Sequence, residues 1–414
     1  MYICVNVDLL INMSARDRSG WIGAADAARL LGVTRPTLYA YVSRGFVRSQ
    51  PGPGSNRERL YAREDVERLR QRTEDRKAPD KAAARALQWG MPILESAITL
   101  IDGARLYYRG MDAAMLARTH TLEDVASWIW TGQIDAAPVR VRVKAPAVRM
   151  ELPFVPRAQT LLVAAGARDP LAMDLRLANV VRIGFSVLRL MTTAAAGSPD
   201  GETRIDRTLA NRWGARGRAI DVIRAALVLC ADHELNVSAF TARCAASSGT
   251  HPYGVVVAAL SAFEGPRHGG AGRRVEAMLD AMHGERALSR AMTARARRGE
   301  SIEGFGHPLY RDGDPRARVM LDLLDEWFPA SAERRFIRDF VRAAEEITGD
   351  RPNLDFGLAA VTRVLRLPEG SPMALFGIGR TVGWIGQALE QYSTGQLIRP
   401  RAKYVGTPPS QATR

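Results

Sequence analysis

The sequence predicts a mainly α protein, with a small winged helix-turn-helix domain ahead of a much larger all-α one. Three observations lead there. Strand signals are few. After residue 87 apolar residues recur at helical spacing, in stretches divided by Gly and Pro. Near the start, two short helix patterns are joined by a tight turn within a basic stretch.

The 414 residues exceed what one ordinary core organises, which points to two or three domains. Apolar residues make up 46% and charged residues 25%, the balance of a soluble globular chain. No uninterrupted apolar stretch reads as long enough to cross a bilayer. The best candidate, Leu177 to Ala196, is broken by Arg182 and Arg189, so no membrane partner is expected. Residues 1–20 read as an unstructured or over-called N-terminus, because Met1 to Ile11 is apolar without the basic flank of a secretory signal. Cys4, Cys230 and Cys244 are scattered, which suggests neither a disulfide framework nor a metal site, and a reducing cytoplasm is expected. The net charge of +14 favours an anionic partner such as nucleic acid or CoA. Nearly all the basic residues are Arg, so their positions matter more than their sum.

Residues 21–72 hold the first domain. Ala24 to Leu31 forms a helix pattern ending at Gly32, and Thr34 can cap a second helix, Arg35 to Ser43, whose first turn tolerates Pro36. Gly45 stops it. A loop, Pro51-Gly52-Pro53-Gly54, leads to a wing strand at Arg57 to Tyr61, and Glu64 to Arg72 completes a third helix. No acidic residue stands between Asp26 and Glu58, whereas Arg29, Arg35, Arg44, Arg48 and Arg57 do. Such one-sided charge suits phosphate binding, because Lys and Arg replace condensed counterions. Duplex DNA is therefore a candidate partner, with Arg35, Arg44, Arg57 and Arg59 as the candidate contacts. The alternative is a module for protein contacts, with Tyr39 and Tyr41 in its core. The domain resembles the winged helix-turn-helix of the MerR and excisionase type. The resemblance lies in Ala27 to Val33, Thr37 to Val42, and Arg59-Leu60-Tyr61 before Asp65-Val66.

Residues 73–86 are charged and Ala-rich, a linker or linking helix. Ile98 to Ile101 and Arg105 to Tyr108 then flank Asp102-Gly103, a hairpin signature. Val139, Val141 and Val143 alternate with basic residues as an exposed strand. Ala219, Val222, Ile223, Ala226, Leu227 and Cys230 have the spacing of a buried helix. So do Val319, Leu321, Leu323, Leu324 and Trp327, with Asp314 able to cap that helix and Pro315 at its first position.

Five segments carry the chemistry: His233 to Asn236, Gly265 to Ala271, Gly304 to His307, Asp314 to Ala317, and Asn353 to Phe356. Gly379-Arg380-Thr381 and Arg399-Pro400-Arg401 follow. Together they hold three of the six histidines, an isolated aspartate and several arginines, a set that suits a small polyanionic substrate and acid/base chemistry. No pair of ligands has metal-site spacing, and no serine elbow accompanies the histidines. Each residue alone has a plainer reading. His233 could be a core histidine on a helix, Asp355 the cap of a helix starting near Phe356, and Arg316 a surface charge at a helix end.

In order, these segments resemble the citrate synthase family, from about Leu87 to Gly406. Leu106 to Asp112, Leu122 to Val125, Trp130-Thr131-Gly132, Arg380 to Ile385 and Tyr404-Val405-Gly406 extend the resemblance. It implies a large subdomain in two parts, 87–269 and 367–406, a small subdomain at 270–366, and a tail at 407–414. It implies an acyltransferase with acyl-CoA as substrate and no bound cofactor or metal. Asp355 would match the base at the acyl α-carbon, His268 the group that hydrogen-bonds the thioester oxygen, and His307 the group that polarises the 2-oxo carbonyl. His233, Arg316 and Arg380 would match ligands of the oxo acid, where a guanidinium pairs well with carboxylate. Arg399 would match an arginine donated across a homodimer with shared active sites. The simplest reaction implied is acetyl-CoA plus oxaloacetate giving citrate and CoA. The alternatives are propionyl-CoA giving 2-methylcitrate, or a DNA-binding metabolite-sensing regulator built on a synthase-like domain. The chain departs from the family pattern at Gly272, where Asn is usual, at Arg267, where Leu is frequent, and at Pro308-Leu309, where Arg-Val is frequent.

Overall fold

A computed structural model of the chain describes residues 20–52, 59–77, 94–134, 151–197, 204–285 and 287–407. The chain divides into two units, Met1–Glu95 and Ser96–Arg414.

The first unit runs β1 (Trp21–Gly23), α1 (Ala24–Leu31), α2 (Arg35–Ser43), β2 (Ser49–Pro51), β3 (Arg59–Ala62) and α3 (Arg63–Lys77). Its antiparallel sheet has the order β1-β3-β2. Gly32 ends α1 in the left-handed region, as its position predicts. Thr34 stands at the N-cap of α2, but its hydroxyl meets Thr37 at 2.9 Å and caps no backbone N–H. Ala27, Leu38, Val47, Tyr61 and Val66 form the core. The buried Asp65 carboxylate accepts from the Arg48 backbone N–H at 2.9 Å and from its Nε at 2.8 Å, which ties the start of β2 to α3. Helix α3 outruns the expected Glu64 to Arg72 and reaches Lys77, and Arg63–Glu67 and Glu64–Arg68 pairs one turn apart support its first turns. Of the expected linker, 73–77 lie on α3 and the rest outside the described residues.

The second unit begins with a three-stranded meander, β4 (Thr99–Asp102), β5 (Arg105–Tyr108) and β6 (Met111–Asp112), whose first turn is the expected Asp102-Gly103 hairpin. Helices follow: α4 (Ala113–Thr119), α5 (Leu122–Thr131), α6 (Phe154–Arg168), α7 (Leu177–Ala196), α8 (Ile205–Trp213), α9 (Arg218–Leu229), α10 (Val237–Ser247) and α11 (Pro252–Phe263). A 3-10 turn at Gly269–Ala271 leads to α12 (Gly272–Met282), α13 (Leu288–Arg297), α14 (Pro315–Trp327), α15 (Ala332–Thr348), α16 (Leu354–Leu365) and α17 (Ser371–Thr394). The fold is mainly α, as the sequence predicts.

One apolar core runs through this unit. Its axis is α17, buried without interruption from Ser371 to Ala388. Helix α7 corrects an expectation: by length and composition it is apolar enough to cross a membrane. Most of it is buried in the core, with Arg182 and Arg189 at its part-exposed edge and Arg182 paired to Asp169 at 2.8 Å. Helices α9 and α14 bury the residues their spacing predicts, apart from Leu321 and Trp327, which are partly buried. The expected strand at Val139 to Val143 lies outside the described residues.

Candidate active site

Loops and helix starts carry the candidate residues, apart from Arg380. His233 lies in the loop after α9, not on a helix, and Asn236 caps the next helix by accepting from Ala239 N–H at 3.1 Å. His268 precedes the 3-10 turn, where Gly269 and Gly270 press against Phe263 and the Glu264 carbonyl so closely that a Cβ would stand 2.3 and 2.6 Å away. Arg380 lies in the middle of α17 beside Gly379, where a Cβ would stand 2.4 Å from the Leu227 carbonyl oxygen. That close approach lets Arg380 Nε donate to the Cys230 carbonyl at 2.8 Å.

The loop carrying His307 is strapped to the start of α16. Gly306 N–H donates to the Arg351 carbonyl at 2.8 Å, Asn353 N–H to the Gly304 carbonyl at 2.8 Å, and Asn353 Nδ2 to the Gly306 carbonyl at 3.1 Å. Asn353, not Asp355, caps α16: its Oδ1 accepts from the Asp355 and Phe356 N–H groups. The Asp355 carboxylate, in the first helical turn, is thereby left for other work.

Asp314 joins two helices. It caps α14 and accepts from Arg316 Nε at 2.9 Å and Nη2 at 2.7 Å, while Oδ2 also takes Leu354 N–H at 3.1 Å. Arg316 is thus buried in a bidentate pair rather than exposed at a helix end. Its guanidinium lies 5.8 Å from the Tyr310 ring centre. Tyr310 Oη is 2.9 Å from His233 Nε2, and the His233 and His307 rings are 5.3 Å apart.

The electrostatics follow from burial and from two guanidinium groups. Burial pushes the Asp355 carboxyl up to about 7, against the pull of Arg316. Burial, then Arg380 and Arg316, push His268 down to about 3, and burial, then Arg316, push His307 down to about 4. His233 falls well below the usual imidazole range for the same reasons. All three imidazoles are neutral at pH 7. His307 Nδ1 accepts from Leu309 N–H at 3.2 Å, so its proton sits on Nε2. His268 Nε2 is held by Ser238 Oγ at 2.7 Å, and Ser238 in turn meets Asn236 Oδ1 at 2.8 Å and Trp384 Nε1 at 3.1 Å. Arg380 Nη2 is buried without a hydrogen-bond partner among the described residues. A buried donor left open in this way is suited to an anionic ligand.

Burial, ring contacts and shared electrostatics therefore link His233, His268, His307, Arg316, Asp355 and Arg380. Arg399 is exposed in the segment after α17 and makes no hydrogen bond or ion pair with the other six. Tyr310, Ser238 and the double duty of Asp314 escape a reading of the sequence. Asp314 signals only a cap, and neither hydroxyl stands in a motif that announces it. In the first unit Arg35, Arg44 and Arg59 are exposed, while Arg57 lies outside the described residues. Tyr39 is exposed, and Tyr41 packs against the small core.

Comparison with known proteins gives two family matches. The profile described as "Citrate synthase, C-terminal domain" matches residues 86–154 and 165–401, and that described as "MerR HTH family regulatory protein" matches residues 24–72. Citrate synthase 2 of Bacillus subtilis is 35% identical over 190 residues, which span 45% of this chain and 51% of that protein. The 2-methylcitrate synthase of Shewanella oneidensis is 28% identical over 350 residues, 75% of this chain and 91% of that protein. The crystal structure of citrate synthase from Thermotoga maritima superposes with a TM-score of 0.64 at 27% identity, covering 78% of this chain and 96% of that one. The chain belongs to the citrate synthase family and is an enzyme of that acyltransferase type.

Proposed function

We propose that this member of the family condenses acetyl-CoA with oxaloacetate, and that Asp355, His268 and His307 carry out the chemistry. The observation that carries the reading is the Asp355 carboxylate, pushed up to about 7 on the same network as two neutral imidazoles and two buried guanidinium groups. A carboxylate with that pKa is a stronger base than an ordinary one, which the weakly acidic α-proton requires. Asp355 takes that proton. The charge that develops on the thioester oxygen is held by a hydrogen bond from His268 Nδ1–H, which requires the Ser238 hydroxyl hydrogen to turn from Asn236 Oδ1 to His268 Nε2. The α-carbon attacks C2 of the oxo acid, and His307 Nε2–H supplies the proton for the new hydroxyl. Water then cleaves the thioester, releasing CoA and citrate. Arg380, with Nη2 open, Arg316 and His233 bind the oxo-acid carboxylates. Arg399 is donated by a second copy, which makes a homodimer the active unit. The test is thiol release from acetyl-CoA and propionyl-CoA, with and without oxaloacetate. Oxaloacetate-dependent release is expected, and its absence with both thioesters refutes the reading.

A second reading concerns the first unit. The match to a MerR profile, together with exposed Arg35, Arg44 and Arg59, supports binding of duplex DNA by α2 and the β3 wing. Retention of genomic fragments that weakens steeply with salt is expected. No retention at low salt refutes it.

A further inference from the structure

We propose that Gly272 sets the acyl-chain specificity of this site, by leaving room beside the Asp355 carboxylate for an acyl group longer than acetyl. The inference rests on the condensation reading above and assigns its substrate class to one position.

Gly272 opens α12 and is buried. Its backbone, at φ −54 and ψ −33, is ordinary right-handed helix that every L residue adopts. No turn demands a glycine there. No close approach demands one either. A Cβ at Gly272 would find its nearest neighbours, Asp355 Oδ1 and Pro372 Cβ, both at 3.9 Å, which is ordinary van der Waals contact. Gly269 and Gly270, a turn earlier, are the opposite case, with a Cβ 2.3 and 2.6 Å from its neighbours. Glycine is also less favourable than alanine in a helix. The backbone thus accepts a side chain at 272, and what its absence leaves is space facing the carboxylate.

The chemistry fixes what enters that space. The oxygen that takes the α-proton must lie close to the acyl α-carbon in the reactive geometry. A further carbon on that α-carbon, directed toward the start of α12, then enters the volume that a side chain at 272 would occupy. Of the two nearest walls, one is the carboxylate itself and the other is Pro372, which is apolar. An aliphatic extension suits that surface, whereas a second acidic group would face Asp355. The space therefore suits an unbranched short-chain acyl thioester, propionyl or butyryl, in addition to acetyl.

The experiment measures kcat/KM for acetyl-, propionyl- and butyryl-CoA with oxaloacetate, in the wild type, Gly272→Ala and Gly272→Val, with thermal melts as a folding control. One methylene in an apolar pocket is discriminated by about 10–200-fold. The propionyl-to-acetyl ratio is expected to fall at least about tenfold in Gly272→Ala, and the butyryl-to-acetyl ratio further. Gly272→Val extends the series; if it does not fold, Gly272→Ala decides alone. Turnover of acetyl-CoA with ratios unmoved in the folded variants overturns the inference and leaves the condensation reading standing. No turnover of any acyl-CoA by the wild type overturns that reading, and the inference falls with it.

Discussion

Asp355→Asn is expected to remove most turnover and to stabilise the protein, and both effects have one cause. Burial raises this carboxyl from 3.8 to about 7. The folded chain therefore binds a proton that the unfolded chain releases. A raised acidic pKa means the carboxylate costs nothing below the ordinary carboxylate range. The cost grows as pH rises through the window between the two values and is full above about pH 7. A shift of about three units corresponds to a ceiling of about 4 kcal/mol at pH 8. Asn has nearly the same shape and no charge, so the variant recovers part of that, about 1–3 kcal/mol. At pH 5 the wild-type carboxyl is mostly protonated when folded, and the gain falls to about two fifths. Urea unfolding of both proteins at pH 8 and pH 5 measures this, and thiol release measures the turnover, expected to fall about 10²–10⁴-fold. An Asn variant that is no more stable at pH 8, or that keeps near-normal turnover, refutes the reasoning.

Other outcomes follow from the same geometry. The kcat/KM for acyl-CoA should fall about tenfold per unit below pH 7 as Asp355 protonates, with no second inflection from His268 or His307 above pH 5, because they titrate near 3 and 4. Asp314→Asn should cost about 3–5 kcal/mol in urea unfolding, because it leaves the Arg316 guanidinium buried without its counter-charge. Mixing Asp355→Asn and Arg399→Ala chains, each inactive alone, should restore turnover if Arg399 acts across a dimer; no recovery after verified subunit exchange refutes the shared site. Arg44→Glu should abolish salt-sensitive DNA retention, measured by electrophoretic shift, while thiol release stays at the wild-type rate.

The elements that the sequence makes legible are those set by local chemistry. Gly32 ends α1, Asp314 and Pro315 start α14, and Asp102-Gly103 turns the hairpin, each through a signal within a few residues. The reach of α3 past Arg72 was missed because residues 73–77 are all polar or charged and carry no apolar periodicity. At the site, the identities of the chemical groups stand in the sequence, while their supports join residues far apart. Tyr310 reaches His233 across the gap between α9 and α14, and Asp314 reaches the first N–H of α16. The plainer reading of Asp355, as a helix cap, fails for a similar reason. An acidic residue in a first turn reads as a cap, yet Asn353 two positions earlier performs that task.

The two buried arginines explain why one pocket can hold neutral histidines and a strong carboxylate base together. A guanidinium keeps its charge throughout the working pH range. Burial alone would lower the imidazoles and raise the aspartate. Arg316 and Arg380 reinforce the first effect, because a like charge nearby disfavours imidazolium, while Arg316 opposes the second. The aspartate still ends near 7 because burial outweighs the pull of Arg316, and the negative charge of Asp314, paired with Arg316, adds to the rise. Asp314 therefore strengthens the base as well as anchoring the helices. On this argument its replacement by Asn should lower the Asp355 pKa and shift the acidic limb of the rate profile below pH 7. A limb that stays in place would assign Asp314 a purely structural role.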